Sequence, residues 1–168
     1  MNKNIFDNTL NDPEEVFVFP ASFAQQRLWF LDRLTPGNPI YNVSAVLRLK
    51  GVLNLSALEK TFNEIIRRHE VLRTNFVMLE GELMQIIAPS LTSNLSVTDL
   101  THLSAITQED KVKKLIFEQA NRPFDLAKDP LFRVNLLKIS EAEYILLLNF
   151  EHIVVDGWSI GVLIRELR

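Results

Sequence analysis

Two side chains near the C-terminus stand where chemistry is possible: His152 and Asp156, four residues apart, followed by Gly157, Trp158 and Ser159. An imidazole, with an ordinary pKa of roughly 6.5, is mostly neutral near pH 7 and can take a proton or orient a nucleophile. A carboxylate four residues on can organise a turn by accepting hydrogen bonds. Gly157 lets a backbone N–H approach an anionic oxygen, and a helix entrance adds a favourable dipole. The chain has no Cys, which excludes a thiolate nucleophile, a disulfide framework and Cys-based zinc sites.

The elements that position these groups are legible in the same stretch. The apolar run Tyr144 to Phe150, opened by Glu141-Ala142-Glu143 and closed at Asp156-Gly157, has the length and flanks of a strand covered on both faces that ends at a tight turn. Alternation puts Tyr144, Leu146, Leu148, Phe150 and His152 on one face and Ile145, Leu147, Asn149 and Glu151 on the other. A regular strand therefore turns Glu151 away from His152. A bulge there would instead set a carboxylate beside the imidazole and raise its pKa. After the turn, Ile160, Leu163, Ile164 and Leu167 recur at helical spacing, so a helix is expected from near Ser159.

Length and composition bound the rest. The 168 residues, 47% hydrophobic and 23% charged, suit one globular unit large enough to bury about 70% of its unfolded surface. A net charge of −3, with 18 Lys+Arg against 21 Asp+Glu, offers no basic excess to neutralise a phosphate backbone, so nucleic acid is not an expected partner. No apolar run approaches the roughly 18 residues of a membrane span, and residues 1–15 lack the apolar core of a leader, so a cytoplasmic location with no membrane partner is expected. Those fifteen residues, rich in Asn and Asp, read as a flexible lead-in.

Along the chain, a short strand is expected at Val16 to Phe19. Ser22 and Gln25 then form a capping box that opens a helix to about Leu34, with two apolar faces that imply substantial cover by other structure. Taken alone, Gln25, Gln26 and Arg27 are the polar side of this helix and Trp29 a core anchor. Tyr41 to Lys50 alternates as a half-buried strand; Ser56 with Glu59 reads as a capping box for the next helix. Val71 to Leu79 and Leu83 to Ala88 read as a hairpin through Glu80-Gly81-Glu82. A short strand near Leu95 to Val97, a helix over Glu109 to Asn121 halted by Pro123, and a strand over Leu131 to Ile139 complete the series. His69 reads as a hydrogen-bonded residue at a helix end and His102 as a loop residue.

Four segments, in order, carry a family resemblance. Ser22-Phe23-Ala24-Gln25-Gln26-Arg27-Leu28-Trp29-Phe30-Leu31 is similar to an SxAQxRLWxL motif, and Arg68-His69-Glu70-Val71-Leu72-Arg73-Thr74-Asn75-Phe76 fills every fixed position of RHExLRTxF. Pro123-Phe124-Asp125-Leu126 through Pro130-Leu131 and Arg133 follows PFDLxxxPLxR. Glu151-His152-Ile153-Val154-Val155-Asp156-Gly157-Trp158-Ser159 resembles HHxxxDGWS, with Glu151 in place of the first histidine. Together these resemble the condensation domains of nonribosomal peptide synthetases, relatives of chloramphenicol acetyltransferase.

The resemblance implies an α/β lobe of helices packed on a mostly antiparallel or mixed sheet, with residues 16–168 as the N-terminal lobe and a C-terminal lobe as its partner. It implies peptide-bond formation between an aminoacyl or peptidyl thioester and an amine. Both substrates ride on the phosphopantetheine of peptidyl carrier proteins, beside neighbouring synthetase domains, and no cofactor is bound directly. His152 would then be the base or the amine-positioning group, with the Gly157 backbone near the oxyanion. Asp156 would be an organiser paired with Arg73 or Arg68. The opening motif is nearer the subtype joining two L-residues. An epimerisation domain shares the histidine motif, and a non-catalytic lobe that docks a carrier protein is the alternative of a different class.

Overall fold

The computed structural model describes residues 16–167; the lead-in expected at 1–15 lies outside them. In chain order the elements are β1 (Phe17–Pro20), α1 (Phe23–Leu34), a 3-10 turn (Pro39–Tyr41), β2 (Asn42–Lys50), α2 (Leu55–Arg68), a second 3-10 turn (Glu70–Arg73), β3 (Thr74–Leu79), β4 (Glu82–Ile87), β5 (Ser96–Asp99), α3 (Ala105–Ala120), β6 (Phe132–Ser140), β7 (Glu143–Glu151) and α4 (Gly157–Glu166). They build an α/β fold on two sheets. One has the order β2-β7-β6-β5 and the other β1-β4-β3. All pairings are antiparallel except β5 with β6.

β7 is the central strand, and its alternation sorts as expected. Tyr144, Leu146, Leu148 and Phe150 join Phe62, Ile65 and Ile66 of α2 and Leu163 of α4 in the larger core, while Ile145 and Leu147 join Val112 of α3 and Leu100 on the opposite face. A third cluster lies under the smaller sheet. There Phe76, Leu83, Phe124, Leu126 and Leu131 meet Ile153 and Val154, with Leu28 and Trp29 of α1 against them.

The Ser22–Gln25 capping box forms with both of its hydrogen bonds. The hairpin forms as well, through Glu80 (φ 51°) and Gly81 (φ 89°), the doubly left-handed pair that a two-residue turn needs to match strand twist. Four expectations are corrected. α1 buries no residue outright, and Phe23 is 91% and Leu34 61% exposed; among the described residues, it is the Leu28–Trp29 side of the helix that packs against a core cluster. α2 is capped by Asn54, which accepts from the Ala57 N–H at 3.0 Å, not by Ser56. Glu59 instead accepts from the Leu95 N–H at 3.0 Å, tying α2 to the segment before β5. α3 starts at Ala105, capped by Ser104; Ile106 in its first turn is 79% exposed, so no inward periodicity marks that turn. Val71 lies in a 3-10 turn closed by the Leu72 N–H on the His69 carbonyl, because its side chain is partly exposed and has no strand to alternate with. Among the described residues no helix is long and apolar enough to cross a membrane.

Candidate active site

His152 leaves β7 on a turn whose geometry follows from burial. The residues between His152 and Asp156 are all β-branched and all inside: Ile153 (5% exposed) and Val154 (5%) enter the smaller core, and Val155 (8%) enters the larger one. His152, Asp156 and Gly157 are left exposed. The two cores hold the turn from opposite sides, and the Val154 N–H closes it on the Glu151 carbonyl at 3.1 Å. The His152 N–H donates to the Tyr41 carbonyl at 2.9 Å, which ties the turn to the start of β2.

Asp156 is the N-cap of α4. Its Oδ1 accepts from the Ser159 N–H at 2.8 Å and the Ser159 hydroxyl at 2.6 Å, and these bonds hold the carboxyl below its ordinary value of 3.8. The helix therefore begins two residues earlier than its apolar periodicity suggests. The Asp-x-x-Ser spacing was the available signal, since short acceptors are favoured at this position. The expected pairing of Asp156 with Arg73 or Arg68 does not form. Arg73 donates to the Ala88 carbonyl and lies 3.3 Å from Glu70, locking the 3-10 turn to the end of β4. Arg68 lies 3.5 Å from Glu166. Both arginines are occupied by nearer acceptors, and an exposed Asp156 already has two donors of its own.

His69 does sit at a helix end with a partner: Nε2 is 2.9 Å from Glu166 Oε2, joining the C-terminal ends of α2 and α4. The hydrogen bond from His69, with Arg68 beside it, holds the Glu166 carboxyl low. Gln25 accepts from the Ser22 N–H and donates to Gln85 at 3.1 Å, while Arg27 is exposed on α1. Trp158 is 79% exposed at the rim of a mainly apolar cavity of about 220 Å³ between α2, the second 3-10 turn and α4, lined also by Ile65, Leu72, Val162 and Leu163. A Cβ on Gly157 would meet nothing within 4 Å, so the chain's own packing does not require glycine there.

Glu151 is the buried polar member of the motif. It is 5% exposed beside an exposed His152, with Oε2 accepting the His152 N–H at 2.5 Å. Burial, with a further push from Asp32 of α1, raises its carboxyl to about 7 against the opposing pull of the His152 and Ile153 N–H groups. Sequence reasoning did not find Asp32, whose only signal was a lone acid on a helix with two apolar faces. Nor did it assign Arg133, which donates to the carbonyls of Arg122 (2.8 Å) and Pro123 (2.7 Å), lies 3.2 Å from Asp129 and sits 3.7 Å over the Phe124 ring. Arg133 thereby fixes the Phe124–Leu131 loop that backs the His152 turn.

Comparison with known proteins adds the wider context. The family model described as "Condensation domain" matches residues 17–168. The chain is 46% identical over 155 residues to phosphinothricin tripeptide synthetase PhsC of Streptomyces viridochromogenes, covering 92% of this chain and 14% of that protein. It is 42% identical over 151 residues to chondramide synthase cmdD of Chondromyces crocatus, covering 90% of this chain and 4% of that protein. Among solved structures, the starter condensation domain of rhizomide synthetase RzmA superposes with a TM-score of 0.82 at 24% identity, over 90% of this chain and 36% of that one. The chain thus spans a small part of the relatives it matches.

Proposed function

This chain belongs to the condensation-domain family of nonribosomal peptide synthetases, and from that premise we propose that residues 16–168 are the N-terminal lobe of a two-lobed domain that joins carrier-bound substrates. The amine of an acceptor aminoacyl group attacks the thioester carbonyl of a donor. A C–N bond forms, the C–S bond breaks, and the amine's proton ends on the departing phosphopantetheine thiol. His152 receives or orients the amine proton at its imidazole. The open space before Gly157 at the α4 N-terminus suits a substrate oxygen arriving from outside the chain, where N–H groups and the helix dipole favour negative charge.

The observation that carries this reading is the division of the motif: three consecutive side chains are buried in two different cores while His152, between them and the strand, points to solvent. A structural histidine on a buried strand needs internal partners; an exposed imidazole on a doubly anchored turn is placed to meet a ligand. The apolar surface of α1 and β1, with Phe17, Phe19, Phe23 and Phe30 each between 45% and 91% exposed, supports a second lobe as the missing partner. In a two-lobed protein carrying this lobe, His152→Ala should abolish dipeptidyl product in a single-turnover assay with two loaded carrier proteins, read by mass spectrometry. Unchanged product from that variant would favour instead a lobe that only docks carriers.

A further inference from the structure

We propose that Glu151 is the positioning residue for His152: its carboxylate grips the turn from inside the fold by accepting the His152 N–H and so fixes where the imidazole points. The proposal rests on His152 as the reacting side chain and adds a role for the residue that departs from the family pattern. The geometry is specific. Glu151 Oε2 lies 2.5 Å from the His152 nitrogen. The side chain is buried, so this contact is shielded from water. Opposite Glu151 on β2 is Asn42, a neutral residue, and the Glu151 N–H is taken by the Leu131 carbonyl at 2.9 Å. Among the described residues the charged group that acts on it is Asp32 of α1, with no cation beside it. A buried acid held without a cation is costly as structure alone, which makes its backbone donor, the His152 N–H, the feature that its presence serves.

The two acceptors of the His152 N–H divide the work. The Tyr41 carbonyl anchors the turn to β2 from one side, and the Glu151 carboxylate draws it from the other. Loss of the charge weakens that grip, so the aim of the imidazole is coupled to the protonation of the residue before it.

The test uses the chain itself and the two-lobed protein. In ¹H–¹⁵N spectra of the 168-residue chain, the amide of His152 should shift as Glu151 titrates, and the shift should vanish in Glu151→Gln. In Glu151→Leu, which has similar bulk and no acceptor, the His152 amide should exchange with solvent at least tenfold faster. For the joined domain, Glu151→Leu should lower kcat by about 10- to 100-fold, the scale of a displaced reacting group, with KM unchanged, and Glu151→Gln, which keeps a neutral acceptor, should fall between Leu and wild type. An amide that ignores both pH and the Gln substitution would overturn the proposal, as would wild-type kcat in Glu151→Leu. If the wild-type joined domain formed no product, the function proposed above would fail, and the amide measurements would still decide whether Glu151 holds the turn.

Discussion

Glu151 should make the folded chain lose stability as pH rises through neutrality. Its carboxyl moves from an ordinary 4.5 to about 7 on folding. The folded state therefore keeps a proton that the unfolded chain releases, and the contribution has a definite sign: fully present below pH 4.5, lost as pH climbs through about 7. At about 1.4 kcal/mol per pH unit, the full interval corresponds to about 3 kcal/mol. Urea unfolding of wild type and Glu151→Gln between pH 5 and 8 isolates this effect, because Asp32, also raised by burial, is present in both proteins and largely cancels. The wild-type curve should fall relative to the Gln variant by about 1–3 kcal/mol across that range, with little change in m-value. Parallel curves would refute the reasoning, since they would mean that the carboxyl is as well solvated folded as unfolded. The charged form, poorest for stability, is also the better acceptor for the turn, which places a small conflict between stability and function at one residue.

Other expectations follow from the same contacts. His152→Ala should leave the melting temperature of the chain within error, because the side chain is exposed, so calorimetry separates a lost function from a lost fold. Asp156→Ala should lower the melting temperature modestly and speed amide exchange over the first turn of α4. Because its carboxyl is held low by Ser159, that difference is present above pH 3.8 and disappears as pH falls through the depressed value. Leu148→Ala, at a site with 0% exposure in the larger core, should cost about 2–5 kcal/mol in urea unfolding. Phe23→Lys together with Phe30→Lys should reduce any concentration-dependent association of the isolated chain in light scattering, since both rings stand open on α1.

The parts of the molecule legible in the sequence are those where a side chain's environment comes from its own neighbours. β7 announced its two buried faces, the Ser22–Gln25 box announced α1, and Glu80-Gly81 announced the hairpin turn; in each case the local pattern and the tertiary partners agree. The order of four motifs pointed to His152, and the regular-strand alternative for Glu151 agrees with its burial beside an exposed His152. Alternation gave no hint that the same carboxylate would return to the backbone of the next residue, because a periodic pattern describes where side chains point and says nothing about short polar reaches along the chain.

Two of the corrected expectations concern exposed side chains. Phe23, Phe30 and Leu34 were expected to be covered and are open among the described residues; Asp156 was expected to pair with Arg73 or Arg68 and is an exposed helix cap. Asp156 is explained by its own turn, through Ser159, whereas the open rings of α1 have no such internal account. An exposed patch of large apolar rings on one helix is the kind of surface that the second lobe proposed above would cover. Glu151 is the opposite case: it is enclosed and still polar, so its reason lies inside, in the N–H of His152. Exposure thus separates the open rings of α1, which bear on the proposed second lobe, from Glu151, which acts on the turn within the fold.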